Sequence, residues 1–480
     1  MSQIILKWVT EMLKVTADEY SIKSDEFECS LDSVYRKDNG IFYTDLKLSK
    51  LILEHLNIST DKIILDPCCG AGSFLFAALE KGCQKVYGAD LDSNAVKFCR
   101  KFINLGQAVK KLDTLGNDGE KILKSLKMNK KADYVVGNPP YCPLSKNIIV
   151  NSVDYSFWRK VKDFGNNLFI AAICRAFELA DTEGVIAYII PKNFLHIHTY
   201  SMLRKFLLNE KTIISITDLG AYFPNVRGEQ ILLVMNNKFT PDNKIKFFKL
   251  FGDSFEKLCD VEQNFYSDEI LIFESCEEYS IYRTMESTYM KFSDICTGYV
   301  GRGKSKSPSA ILGKDIRKFG FKNCAVPEKG NRVFIQNIYS AESGIISSFA
   351  GNDFEAAQTV TVFTDGDEKM CRYIVGILHS RLCNFYLLKF CYNSSKLTMH
   401  TDAKYLHKLP LKNDSEVLFN QLVNLVKAIE NVSYMSEIWF EMFEELNELV
   451  YKIYGISQSE KSFIDNEMRS IQSERWKNDK

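Results

Sequence analysis

Apolar and polar positions along the chain follow a helical rhythm first and a strand–helix alternation afterwards. Residues 1–60 read as helical, interrupted by a turn at "KDNG", residues 37–40. From Lys62 onward, compact apolar runs predict strands at 62–66, 85–92, 132–138 and 184–191. Between them, amphipathic stretches predict a helix from residue 73, a second with Ser93 as its N-cap, and a third over 167–184. A helix near 199–210 and strands at "IISITDL" and "EQILLVMNN" complete the pattern. Apolar strands alternating with helices indicate an α/β fold, a Rossmann-like and mostly parallel sheet covered on both faces. Ligands of such sheets gather at the carboxyl ends of the strands.

After about Lys238 the texture changes to shorter, mixed segments with more aromatics and polar loops such as "GRGKSKSPSA". The expected division is a catalytic domain over 1–239, a mixed α+β domain over 240–413, and a helical segment over 414–480. Apolar runs such as "GVIAYII" fall far short of the roughly 20 residues of a membrane helix, and the amphipathic N-terminus lacks a cleavage site, so neither a membrane nor a signal peptide is expected. The fourteen cysteines include no C-x-x-C, and they read as buried, reduced thiols of a cytoplasmic protein. His196 and His198 lack further ligands, so no metal is expected.

Three stretches carry chemistry. In "DPCCGAGSF", Asp66 ends the first strand and Gly70 and Gly72 precede a helix, which permits close backbone approach to a ligand. The G-K-[ST] ending of a phosphate loop is absent. Asp90 ends the second strand, placed to accept from two ribose hydroxyls, with Leu91 after it. A ribose acid without a phosphate loop suits a nucleoside cofactor lacking a pyrophosphate, and S-adenosylmethionine is such a molecule. Cys68 and Leu91 lie on the same cofactor segments. Asp113, after a third strand, is placed for an adenine amino group and reads equally well as a solvated loop acid.

The third stretch is "VVGNPPYC". Two prolines stiffen the strand end, so the Asn138 side-chain oxygen and the Pro139 carbonyl form two fixed acceptors. They match the two N–H donors of an exocyclic amine on a nucleobase, and holding both aims the nitrogen lone pair at an electrophilic methyl. Tyr141 would stack on the base, which must leave its duplex to reach such a pocket.

Together, "DPCCGAGSF", "GADLD" and "GNPPY" resemble the amino-methyltransferases that use S-adenosylmethionine. "GIFYTD" and "AYFPNVRGEQILLVM" narrow the resemblance to the gamma, TaqI-like class of DNA adenine-N6 methyltransferases of restriction–modification systems. The resemblance covers residues 40–238 and implies a class I S-adenosylmethionine-dependent methyltransferase fold. It implies that Tyr43 and Thr44 lie at the methionine moiety and that Phe223 holds the flipped adenine. The family's usual Thr-Pro is Thr44–Asp45 here. Later phrases such as "YLHKLPL" resemble target-recognition domains. Residues 301–332 hold nine Lys or Arg and two acids, a patch suited to phosphate contacts. Arg302, Lys304, Lys306, Arg317 and Lys318 are the candidates for contact with double-stranded DNA. The expectation is a modification enzyme, alone or paired with a separate cognate restriction endonuclease. An RNA or protein-glutamine methyltransferase and a non-catalytic specificity subunit are the alternatives.

Overall fold

The computed structural model describes residues 3–32, 42–144, 154–224, 228–288, 290–295, 297–301, 310–364, 367–391, 399–401 and 403–476. The chain divides into two compact units, Met1–Cys276 and Glu277–Lys480.

The first unit is built on a nine-stranded sheet: β1 (Ile63–Asp66), β2 (Lys85–Asp90), β3 (Val109–Lys111), β4 (Ala132–Gly137), β5 (Ala180–Pro191), β6 (Thr212–Gly220), β7 (Gln230–Asn236), β8 (Lys244–Phe251) and β9 (Ser254–Glu262). Their spatial order is β3-β2-β1-β4-β5-β7-β6-β8-β9. Strands β1 to β5 run parallel, and β7 is antiparallel to both β5 and β6. Because β1 to β5 run parallel, the carboxyl ends of β1, β2 and β4 lie at one edge of the sheet, and the strand order changes direction between β1 and β4, the place where such sheets open a crevice. Ile64, Val86, Val136 and Ile189 share one core with Leu48 and Ile52 of the helix Leu46–His55 and with Phe74 and Leu75 of the helix Ser73–Glu80.

The α/β expectation holds, and three details differ. The sheet does not end at β7: β8 pairs in parallel with β6, and β9 closes the edge as a hairpin. Ile245 and Phe247 are buried and alternate with exposed Lys244 and Lys246, the inward/outward alternation of a strand with one face on the core. The break expected at 239/240 therefore lies at Cys276/Glu277. The helix expected over 167–184 ends at Leu179, after which the chain enters β5 directly. The helix Ser93–Phe102 is capped by Asp92, whose carboxylate accepts from the Asn94 N–H at 2.8 Å, and not by Ser93.

The second unit holds an antiparallel sheet in the order Thr297–Val300, Val360–Thr364, Arg332–Gln336, Ser347–Ala350. Val333 and Phe349 of that sheet share a core with Ile374, Leu422, Trp439, Phe443 and Leu446 of the helices Glu368–His379, Glu416–Glu430 and Glu437–Tyr454. The helices of the segment 414–480 pack into the same core as 277–413 and supply, among the described residues, 14 of its 39 buried apolar residues.

Candidate functional site

The loop after β1 is shaped by its neighbours. Gly70 and Gly72 adopt φ of +51° and +95°, left-handed values that favour glycine. A Cβ on Gly70 would lie 2.5 Å from the Tyr43 ring, so that ring lies directly on the loop. The loop is fastened from two sides. The Asp90 carboxylate accepts from the N–H groups of Gly70 and Asp92, each at 2.8 Å. On the other side, the buried Tyr20 hydroxyl donates to the Ala71 carbonyl at 2.8 Å. Among the described residues no side chain caps the helix Ser73–Glu80.

Asp66 is buried and accepts from the Cys68 N–H at 3.0 Å. Burial pushes its carboxyl well up, with the nearby Asp90 charge adding to the effect. Burial also raises the Asp90 carboxyl, partly opposed by its backbone hydrogen bonds. Two buried acids in one pocket favour a cationic ligand, because a nearby positive charge stabilises their ionised forms. Burial keeps the Cys68 thiol well up and neutral. Leu91, at 65% exposure, stands beside Asp90 as an apolar wall open to solvent. Thr44 is buried, and its hydroxyl has no hydrogen-bond partner among the described residues. A nucleoside cofactor with a sulfonium and an amino-acid tail fits this set: acids for hydroxyls and cationic groups, a leucine face for a base, and an unpaired hydroxyl for the tail. Asp113 is exposed two residues past β3, where its Oδ1 accepts from the N–H groups of Leu115 and Gly116 and closes its own turn.

Beside this loop, β4 ends at Gly137, where a Cβ would come within 2.7 Å of Asp66 Oδ1. The strand can pass the acid only without a side chain. Asn138 follows. Its Nδ2 donates to the Phe42 carbonyl at 2.9 Å. Only the amide nitrogen can make that bond, so the side-chain oxygen is turned toward Tyr141, whose single O–H lies between it and the Ile189 carbonyl, 2.8 Å from the latter, and can donate to either. Burial holds the Tyr141 phenol well up, as a donor. The Tyr141 and Phe42 rings face each other at 6.2 Å with planes 29° apart. Phe223 is buried at 8% exposure in the core with Leu219 and Leu232. The adjacent Tyr222 donates its hydroxyl to Asp45 at 2.8 Å.

A profile of the N-6 DNA Methylase family matches residues 24–278, just over half of the chain. The chain belongs to this family. It is 27% identical over 230 residues to the Type II methyltransferase M.VspI of Vibrio sp. (strain 343), covering 46% of this chain and 53% of that protein. It is 25% identical over 292 residues to the Type II methyltransferase M.AccI of Acinetobacter calcoaceticus, covering 57% and 48%. The chain spans about half the length of the curated relatives it matches. The solved type IIL restriction–modification enzyme MmeI shares the fold, with a TM-score of 0.51 at 12% identity over 98% of this chain and 79% of that one.

Asp66, Cys68, Gly70, Gly72, Asp90, Leu91, Tyr43 and Thr44 thus gather around the loop after β1, and Asn138, Pro139 and Tyr141 form the turn after β4 beside it. The DNA candidates are different. Arg302, Lys304 and Lys306 lie outside the described residues. Arg317 is half-buried over the Tyr434 ring, 5.3 Å from its centroid. Lys318 corrects the expectation: at 7% exposure, with its ammonium 5.0 Å from the centre of the Phe443 ring, it is a packed residue with little surface left for a phosphate. Sequence reasoning also missed Tyr20, Phe42 and Gly137. Gly137 was legible as a glycine where a strand passes a buried acid. Tyr20 and Phe42 act from 51 and 96 residues away, and no local signal marks them. Among the described residues no helix is long and apolar enough to cross a membrane.

Proposed function

We propose that the protein is a site-specific DNA adenine-N6 methyltransferase of the gamma class, acting on an adenine flipped out of double-stranded DNA, alone or beside a separate cognate restriction endonuclease. The observation that carries this reading is the Asn138 amide, oriented by the Phe42 carbonyl at 2.9 Å at the edge of an acid-lined pocket. Motif order supports the gamma class: the Tyr43–Thr44 segment precedes the Asp66 loop, and the Asn138 turn follows.

Asp66, Asp90, Leu91 and Thr44 would hold S-adenosylmethionine, with Asp113 at its adenine. When bound, that cofactor supplies an electrophilic methyl on a sulfonium. Asn138 Oδ1 and the Pro139 carbonyl accept the two N–H bonds of the adenine amine and draw its lone pair out of the ring. Asn138 Oδ1 can take up this bond because the Tyr141 hydroxyl keeps a second acceptor, the Ile189 carbonyl. Catalysis is then positioning and electrostatics, with the two acceptors holding the amine N–H groups until the alkylated nitrogen gives up its surplus proton to solvent water. Tyr141 supplies the stacking face and Phe223 a side wall. Arg302, Lys304, Lys306 and Arg317 would meet phosphates, and a DNA substrate places the enzyme in the cytoplasm.

Transfer of tritium from labelled cofactor to duplex DNA, RNA and protein tests the reading. Label in DNA adenine is expected, and label confined to RNA or protein sinks it.

A further inference from the structure

Asp45 stands where the gamma class usually has proline, and its carboxylate makes two bonds that a proline lacks. Oδ1 accepts from the Leu48 N–H at 2.8 Å and caps the helix Leu46–His55. Oδ2 accepts from the Tyr222 hydroxyl at 2.8 Å, across 177 residues of chain. Both bonds are charge-assisted. On one side, Asp45 directly follows Thr44, whose hydroxyl is unpaired, and Tyr43, whose ring lies on Gly70. On the other side, Tyr222 directly precedes Phe223, with ring centroids 5.3 Å apart. One carboxylate therefore joins the turn that faces the cofactor pocket to the turn that carries the base wall.

A cavity of about 370 Å³ lies beside Tyr222, lined also by Leu46, Lys47, Leu250, Gly252 and Asp253. Burial and the Asp45 carboxylate both raise the Tyr222 phenol, so it stays a donor.

We propose that the Asp45–Tyr222 hydrogen bond couples cofactor binding to capture of the flipped adenine, which makes Asp45 and Tyr222 positioning residues. The proposal rests on the DNA adenine methyltransferase reading above. A ligand that orders the Thr44 turn orders Asp45, and through it Tyr222 and the start of the Phe223 turn. Linkage makes the effect reciprocal: cofactor raises base capture by the factor by which base capture raises cofactor affinity. The bond is partly solvent-exposed, so the factor is about fivefold, at the low end of coupling between sites.

The test uses the full chain, sinefungin as a non-transferring cofactor analogue, and a duplex with 2-aminopurine at the position that long-read sequencing shows to be methylated. In the wild type, sinefungin is expected to increase base-flipping fluorescence. In Tyr222→Phe that increase is expected to fall about fivefold, while sinefungin affinity without DNA, measured by calorimetry, stays unchanged. Asp45→Ser keeps a helix cap but is too short to reach Tyr222, and should behave as Tyr222→Phe does. Asp45→Asn keeps both a cap and a partner for the phenol, and should retain the increase. An undiminished increase in Tyr222→Phe and Asp45→Ser overturns the coupling and leaves the methyltransferase reading standing. Loss of sinefungin affinity in the absence of DNA overturns it too, because the pair would then only support the pocket. A wild-type protein that transfers no methyl to DNA overturns both.

Discussion

Asn138 and Phe42, 96 residues apart, meet through a 2.9 Å hydrogen bond from the side-chain amide to the backbone carbonyl. The bond fixes which end of the amide faces the pocket, and so makes the asparagine irreplaceable even by its closest analogue. In Asn138→Asp a carboxylate oxygen would oppose the Phe42 carbonyl, two acceptors with no proton between them. Methyl transfer is expected to fall by about 10²–10³-fold in Asn138→Ala, as for loss of a catalytic hydrogen-bonding group. Asn138→Asp should lose as much and should also unfold at a lower temperature, by roughly 1–3 kcal/mol for an unsatisfied buried polar group. Single-turnover transfer and thermal melts check both.

Gly137→Ala tests the passage of β4 beside Asp66. The added methyl would lie 2.7 Å from Asp66 Oδ1. Overpacking of this kind costs about 1–3 kcal/mol, and the displaced carboxylate should weaken cofactor binding as well. Denaturant melts and calorimetry with S-adenosylmethionine read the two effects separately.

Asp90→Ala is expected to weaken cofactor affinity about 10- to 100-fold, the loss of one or two hydrogen bonds to a charged group. Affinity for DNA should change much less. Because Asp90 also receives the Gly70 and Asp92 N–H groups, the variant should melt earlier than wild type. Calorimetry and DNA binding at fixed salt provide the comparison.

A pH dependence follows from His379. Its Nε2 accepts from the Ser347 N–H at 3.1 Å, and burial, with the nearby Lys318 charge, holds the imidazole well below the usual histidine range. The unfolded chain takes up this proton near about pH 6.5, and the folded chain only at lower pH. Over that window the unfolded state binds more protons, so the stability present above about pH 6.5 is lost as pH falls toward the folded-state value. Urea midpoints of the full chain should therefore decline on acidification below about pH 6.5. The decline should be shallower in His379→Gln, which offers a neutral acceptor.

Much of the first unit was legible because its strands are short apolar runs bounded by turns. All seven strands from β1 to β7 fall where apolar patterning or an acid-ended segment placed them. β8 was not legible as part of the sheet: "KIKFFKLF" alternates over only its first four residues, and its parallel partner β6 is met only after β7 intervenes. The site divides the same way. Asp66, Asp90 and Asn138 stand at strand ends, where periodicity itself marks the position, and Gly70 follows one of them in a small-residue turn. The contacts that orient them, from Tyr20, Phe42 and Tyr43, come from before the first strand and leave no pattern near it. Lys318 shows the opposite failure, since charge counting assigns every lysine to the surface, whereas a long stem can lie along an aromatic face and bury its ammonium.

The segment before residue 46 reaches the loop after β1 at two points, the Tyr20 hydroxyl on Ala71 and the Tyr43 ring on Gly70, and the turn after β4 at a third, the Phe42 carbonyl on Asn138. The pocket is therefore assembled from two distant stretches of chain, and neither half is portable. A chimera that exchanged residues 1–60 with those of a relative would inherit a foreign lid over its own loop. Its affinity for cofactor would then depend on whether the donor's aromatic residue lies over a glycine.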